Sequence, residues 1–458
     1  MTNLFSEFTP LSEQEWLGEI EKSLKGKPLS TLEKPNFHGI PTKPFYTAND
    51  LPANTSFNPK TDNDWRIQEQ ILIVSEEEAN QKALNALAFG AQEIVFINTL
   101  QNIDFTVLFK DILLDIAPVY INRGNASIAK GYHDFISSHY TNQTVTGGVI
   151  IDPIGEMLIG NWDKPWETTA SELIQFPHHL AINAVHYGNA GANIIDELSL
   201  TLGHLAEYLE VLKSKKLNQT ISIHINMGIG SHFFFEIAKG RALITLVNQL
   251  LQHFDFANQI AVQFNAVAKL LNKSIFDNHT NMLRLTTEGL SAGIAGYDSC
   301  YLPPFDACFR FCNDSHQRIS RNIQHLLKEE SYINQVIDAA SGSYYLENIT
   351  KEFCQAGWSE FLALENKGGL ISQLEKNLIQ TQLRHRFDEL ENAFNENRLN
   401  MIGVNQFPNN DETIENIDFT SPFCIGNHES DTGIKALHRA RIAEQTEKLR
   451  LNELKLAQ

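Results

Sequence analysis

Cysteine is scarce in this chain: five residues in 458, at Cys300, Cys308, Cys312, Cys354 and Cys424. A set so sparse, and odd in number, excludes a disulfide framework and points to a reducing compartment. Cys308 and Cys312 stand four apart with Cys300 upstream. Structural zinc uses tighter pairs with His ligands nearby, so buried apolar thiols are the simpler reading and no metal is expected. No apolar run approaches the ~18–20 residues a membrane span requires. The opening MTNLFSEFTPLSEQEW lacks both a basic start and an apolar stretch, which argues against a secretory signal and a mitochondrial presequence. Basic side chains are also in deficit, 36 against 55 acidic ones, for a formal net charge of −19. That sign repels nucleic-acid phosphates and anionic lipid. A soluble, cytoplasmic protein is expected.

The chain exceeds the ~250–300 residues at which a single core stops growing, so a barrel-sized domain with appendages fits it best. Residues 1–65 are broken by Pro and Gly and read as an extended arm. It holds one helix: Ser12 is a candidate N-cap, Glu15 completes a capping box and Gly26 stops the run. Trp16, Ile20 and Leu24 form an apolar stripe that a lone short helix cannot bury on itself, so it must dock on the barrel or on a partner. From residue 66 the pattern changes to short apolar runs alternating with helical stretches. Strands are predicted at 70–75, 93–98, 115–122, 147–152, 179–185, 220–227, 259–265 and 296–302. Eight strands in alternation with helices predict an α/β chain, either a (β/α)8 barrel over 66–345 or an open doubly wound sheet. A helix at 320–331 would close the barrel. A helical extension at 346–404 follows, then a polar linker and a charged terminal helix over 405–458.

Several stretches together resemble the methylmalonyl-CoA mutase family. They are KSLKGK with HGIPTKPFYTAND in the arm, AINAVHYGNAGANIIDELSLTLGHLAEYL after the fifth strand, and GIGSHFFFEIAKGRA after the sixth. HQRISRNIQHLLKEES, VIDAASGSYYLE and IGVNQF follow in the family's order. The resemblance implies a (β/α)8 barrel through whose axis a CoA tail threads, capped by a cobalamin-binding domain. It also implies a radical isomerisation, and often a heterodimer of a large catalytic chain and a related small one.

In that frame His186 matches the family's catalytic histidine, and here it reads as vestigial. The arm text DNDWRIQEQI keeps Trp65 but has no tyrosine. GVIIDP puts Ile150 and Ile151 where the family has amides and keeps Asp152. The stretch 165–176 has no arginine for the substrate carboxylate. FNAVA sets Phe264, Ala266 and Ala268 against the family's cationic and polar run, and PPFDA sets Pro303 and Ala307 where the deoxyadenosyl contacts belong, with Asp306 kept. The family's Asp-x-His-x-x-Gly cobalamin signature has only DNHTNM (277–282) to match it, with Met282 in place of Gly. The resemblance therefore implies a small, non-catalytic subunit without a cobalamin domain, adenosylcobalamin being bound by a large partner chain. The alternative is an active barrel of the isobutyryl-CoA type served by a separate cobalamin chain.

Three further features have two readings each. The adjacent His178 and His179 point to opposite faces of a strand, which suits core or solvated histidine better than a metal. Ser222, His224 and Asn226 share a face opposite Ile221, Ile223 and Ile225, and read as a relic of a channel or as a hydrogen-bonded core layer. Gly228-Ile229-Gly230 reads as a phosphate cradle or as tight turn packing.

Overall fold

The computed structural model describes residues 12–33, 36–52, 60–141, 144–161, 166, 179–213, 220–310, 314–409, 411–412 and 433–457. His178, the His179 side chain, Cys312, Cys424 and, apart from Trp166, the 165–176 stretch lie outside them.

Eight parallel strands close on themselves in sequence order. They are β1 Arg66–Leu72, β2 Glu93–Ile97, β3 Val119–Asn122, β4 Gly147–Ile151, β5 His179–Ile182, β6 Ile221–Ile229, β7 Ile260–Ala268 and β8 Ser299–Tyr301. Closure comes from β8 pairing with β1, Ser299 opposite Arg66 and Cys300 opposite Ile67. This decides for the barrel over the open sheet. β1 starts four residues earlier than its apolar run suggests, because Arg66, Gln68 and Gln70 point into the lumen and dilute the hydrophobic signal.

The helices, in chain order, are α1 Glu13–Ser23, α2 Glu76–Ala88, α3 Phe105–Leu108, α4 Ala126–His139, α5 Pro153–Leu158, α6 Val185–Asn189, α7 Ile194–Lys213, α8 Phe233–His253, α9 Thr280–Ala295, α10 Asp314–His325, α11 Tyr344–Asn366, α12 Gly369–Glu375, α13 Leu378–Asn395 and α14 Glu444–Ala457. Two apolar layers lie between strands and helices. One joins Ile71, Ile94, Ile121 and Val149 to α2, α3 and α4; the other joins Ile223, Ile225, Phe264 and Ala266 to α7, α8, α9 and α11. Each buried branched side chain there contributes roughly 1.5–3 kcal/mol. The predicted closing helix begins earlier, as α10, and ends in a single π turn over Leu326–Glu330. It ties to β1: Arg321 pairs with Glu69, and Gln324 accepts from the Trp65 indole at 3.2 Å.

The arm helix forms as expected, with Ser12 and Glu15 completing the capping box. None of its residues is buried; Trp16 lies against Phe45 of the arm itself, ring centroids 4.1 Å apart. Beyond the barrel, α11 packs across α7 and α8, with Phe353 edge-on to Phe235 at 5.2 Å. Residues 433–443 then cross the C-terminal mouth of the barrel as a strap. The Leu437 N–H donates to Leu158 O after β4, and the Ile442 N–H donates to Leu271 O after β7.

Candidate functional site

Active sites of this fold sit at the C-terminal ends of the strands, and a substrate tail on the barrel axis needs an empty lumen. Here the lumen is occupied. Glu93, fully buried, accepts from Arg66 Nε at 2.8 Å, Gln68 Nε2 at 2.7 Å and Gln263 Nε2 at 3.0 Å. Gln68 also donates to Ser299 Oγ at 3.2 Å, and Ser299 donates to Asn265 Oδ1 at 2.8 Å. The chain continues across the barrel: Asn265 donates to Asn226 at 2.9 Å, Asn226 to Asn183 at 2.8 Å, and Asn183 to Asp152 at 2.9 Å. Across the middle, Tyr120 stands edge-on to His224 with centroids 4.7 Å apart and donates to Gln263 at 3.2 Å. Val95, Tyr120, Ile150 and Ala181 fill the space beside them. Of the two readings of the β6 polar face, the hydrogen-bonded core layer is the one observed.

This geometry places part of the compared residues outside the lumen. On β7 it is Gln263 and Asn265 that face the lumen, while Phe264, Ala266 and Ala268 pack outward; strand alternation places the apolar set against the helices. On β4 only Ile150 faces inward, and Ile151 packs against α2 to α4. A lumen tyrosine also exists, Tyr120, supplied by β3 rather than by the arm. Trp65 lies at the opposite, N-terminal end, against Gly293, where a Cβ would come 2.8 Å from the ring. A cavity of about 560 Å³ opens at that end. Its cations Lys60 and Arg66 are already paired, with Asp298 at 2.7 Å and with Glu93.

At the C-terminal mouth, Asp152 caps α5 and is surrounded by donors. Tyr208 Oη reaches it at 2.6 Å, His204 Nε2 at 3.0 Å, Asn183 N at 2.7 Å and Gly155 N at 2.8 Å. Burial alone would raise its carboxyl, but His204 and these donors outweigh that and hold it below the usual range. It is a structural carboxylate with no free lone pair for chemistry. Asp306, kept after β8, is bound to His316 Nδ1 at 2.8 Å, and Ser320 Oγ donates to Pro303 O at 3.0 Å.

His186 opens α6 beside Asp152. Burial first, then the charge of Arg439 on the strap, pushes its imidazole down to about 3, so it is neutral at pH 7. Arg123, which follows β3, adds to the same effect. These two arginines were not found by sequence reasoning: they come from a loop and a strap that nothing local connects to His186. The cationic side of the mouth is thus resupplied from new places, whereas the passage along the axis is filled.

The glycines at the β6 turn serve packing. Gly228 O accepts from Lys239 Nζ at 2.5 Å, and Gly230 N–H already donates to Glu236 Oε1 at 2.9 Å, so the Gly230 amide is not open to a phosphate. Asp277 accepts from Thr280 Oγ1 at 2.7 Å at the start of α9, a turn-capping role, and its backbone N–H donates to Glu412. His279 packs on Phe305. The 277–282 segment therefore does not fit a corrin-ligand loop. Cys300 and Cys308 are free and buried, and burial pushes the Cys308 thiol up to about 12. Among the described residues no group of His, Cys, Asp and Glu is arranged to hold a metal ion.

Fold and site define a (β/α)8 protein with an enzyme's site position at its mouth and a closed, hydrogen-bonded lumen. The chain belongs to the methylmalonyl-CoA mutase family, whose defining pattern matches residues 92–457. It is 32% identical to the methylmalonyl-CoA mutase small subunit of Porphyromonas gingivalis, over 98% of this chain and 78% of that one. It is 25% identical to the small subunit of Streptomyces virginiae, over 89% of this chain and 72% of the relative. To the methylmalonyl-CoA mutase of Cereibacter sphaeroides it is 23% identical, over 86% of this chain and 64% of that protein.

Proposed function

We propose that this chain is the small, non-catalytic subunit of an adenosylcobalamin-dependent methylmalonyl-CoA mutase, supporting a large subunit that interconverts methylmalonyl-CoA and succinyl-CoA. The observation that carries the reading is the lumen. A pantetheine tail on the axis would have to displace Tyr120 from His224 and break the Glu93–Arg66 pair, leaving the buried Glu93 carboxylate without its cation. Breaking a buried pair in this way costs about 3–5 kcal/mol. His186 keeps its family position but faces a passage with no room for its substrate.

Adenosylcobalamin belongs to the partner in this reading, since Asp277 and His279 are spent on local packing and the strap crosses the mouth where a corrin would dock. The arm, residues 1–65, is the contact with the large subunit; the unburied α1 with its Trp16 and Ile20 stripe supports this. Among the described residues no helix is long and apolar enough to cross a membrane, consistent with a cytoplasmic complex.

The active-barrel alternative draws its support from Arg123 and Arg439 beside His186. An activity assay separates the two. The chain alone, and the chain with a stand-alone cobalamin protein, should give no turnover of methylmalonyl-CoA or isobutyryl-CoA, while co-expression with a large mutase chain should give a co-purifying, active pair. Turnover without the large chain sinks the proposal.

A further inference from the structure

Outside the lumen, between arm residues 36–39 and α13, the chain leaves a cleft in two parts. The inner part is a chamber of about 150 Å³ bounded by Phe37, Leu271, Leu390, Leu399 and Ile442, with His38 and Ser231 beside them. The outer part is a groove of about 640 Å³, open to solvent, and the two share Asn36, Phe37 and Arg386 in their walls. The apolar wall belongs to a small core that stays unfinished. Leu271, Phe387, Phe394, Met401 and Ile442 are buried against one another, whereas Leu390 and Leu399 of the same cluster are only partly so. Gly191, at φ 96°, sets the spacing, since a Cβ there would come 2.8 Å from Phe387 Cα and push α13 away. Among the described residues no side chain fills the chamber.

The groove is biased against anions. Glu360, Glu389 and Glu396 stand exposed along it. The two guanidiniums among its described lining residues are already engaged, Arg386 with Asp196 at 3.1 Å and Glu389 at 3.5 Å, and Arg398 with Glu396 at 2.6 Å. Glu360 has neither a hydrogen bond nor an ion pair among the described residues. A phosphate or carboxylate would meet spent cations and a spare carboxylate, whereas a cation is attracted. We propose that this cleft docks an extended segment of a partner protein, in which one aromatic or branched apolar side chain enters the chamber and a neighbouring lysine or arginine meets the acidic groove.

The two volumes set the form of the occupant. An apolar chamber of about 150 Å³ admits one benzene-sized group. Small-molecule sites enclose most of their ligand, which a groove open to solvent does not. A peptide segment needs only one buried anchor beside an uneven rim, and the rim charge then selects the partner. The cleft lies apart from the lumen network, so this docking holds whether or not the barrel is catalytic.

The test titrates the full chain calorimetrically with the capped peptide Gly-Arg-Phe-Lys-Gly. Gly-Arg-Ala-Lys-Gly, Gly-Glu-Phe-Glu-Gly and phenethylamine serve as comparisons. Saturable binding of the first peptide is expected, weakened about tenfold without the phenylalanine and at least about threefold with the acidic flanks. In the protein, Leu390→Trp fills the chamber and should abolish binding, whereas Glu360→Lys should weaken it about threefold and leaves the core untouched. Thermal melts check that each variant folds; should Leu390→Trp fail, Glu360→Lys and the alanine peptide carry the comparison. Absence of saturable binding, equal binding of the alanine peptide, or full binding to folded Leu390→Trp overturns the site. Equal binding of the acidic peptide overturns the role of the groove. Phenethylamine binding as tightly as the basic peptide would make the chamber a small-molecule site and overturn the docking.

Discussion

Lys269 Nζ lies 2.8 Å from Glu197 Oε1, at the end of a side chain that runs past three glycines. A Cβ on Gly188 would come 2.8 Å from its Cδ, one on Gly228 2.9 Å from its Cγ, and one on Gly230 3.1 Å from its Cε. The β6 turn and α6 are bare at these places so that a lysine can reach a carboxylate on α7. Lys239 completes the group at 2.7 Å from Glu197 and 2.6 Å from Glu236. Burial opposes the charge on Lys269, but Glu197 and Glu236 outweigh it and raise its affinity for the proton.

Lys269→Met should therefore destabilise the chain by about 3–5 kcal/mol, because it leaves two buried carboxylates to share Lys239. Gly228→Ala should cost less, about 1–3 kcal/mol, since the lysine chain can shift by a few tenths of an ångström. Urea denaturation of the three proteins measures both. A Lys269→Met variant as stable as the parent would show that the network contributes nothing net.

Glu93 holds a second buried ionic group together, one of several, with three side-chain donors on one carboxylate. Glu93→Leu leaves Arg66, Gln68 and Gln263 each short of an acceptor and should destabilise by about 3 kcal/mol or more. Glu93→Gln retains an acceptor oxygen and should cost less. Equal losses for the two variants would mean that the volume of the side chain, not its oxygens, supports the lumen.

The barrel was legible because the strands' outward faces are apolar against helices, Ile71, Ile94, Ile121, Val149, Leu180, Ile223, Phe264 and Cys300 among them, a signal strong enough to mark all eight positions. The lumen was harder to read. Its residues are amides and hydroxyls that satisfy one another, and a polar side chain pointing into a barrel looks in one dimension like one pointing into water. For the same reason the apolar run starts β1 late, and the β7 comparison at Phe264, Ala266 and Ala268 falls on the outward face, one residue from the inward Gln263 and Asn265. His186 and Asp152 were visible as residues at strand ends. Arg123 and Arg439 were not, because their approach to His186 depends on a left-handed turn and on a strap from the far end of the chain.

The arm offers a test that separates folding from assembly. Because α1 buries none of its residues in this chain, Trp16→Ala and Ile20→Asp should leave the thermal melt of the isolated protein unchanged. In a complex the same changes should weaken association about thirtyfold, roughly 2 kcal/mol, as expected for an aromatic anchor in an interface. Sedimentation of the variants with a large mutase subunit reads the second effect. A drop in the melting temperature of the isolated chain would place the stripe in its own fold instead.

Among the histidines that burial pushes down, His186 and His38 are shifted furthest and make stability depend on pH near neutrality. Burial, the largest cause for both, pushes His186 and His38 down to about 3; Arg439 adds to it for His186, and His232 for His38. The folded state therefore keeps them neutral while the unfolded chain takes up protons near pH 6.5. With a depressed folded value, the contribution is complete above about pH 6.5 and is lost as pH falls toward 3. Each histidine gives a slope of at most about 1.4 kcal/mol per pH unit in that window, less to the extent that solvent screens these half-buried rings. Carboxylates such as Asp152 act in the same direction at lower pH, whereas the buried Glu69, Asp196 and Glu288, which burial holds above their usual range, act in the opposite one, so His38 is read from the difference between variant and parent. His38 Nδ1 accepts from Ile194 N at 3.4 Å, and Asn can supply an oxygen in its place. His38→Asn should accordingly flatten the plot of unfolding free energy against pH in that interval by up to one histidine's slope. An unchanged slope in the variant would mean that His38 meets water in the native state and titrates as it does in the unfolded chain.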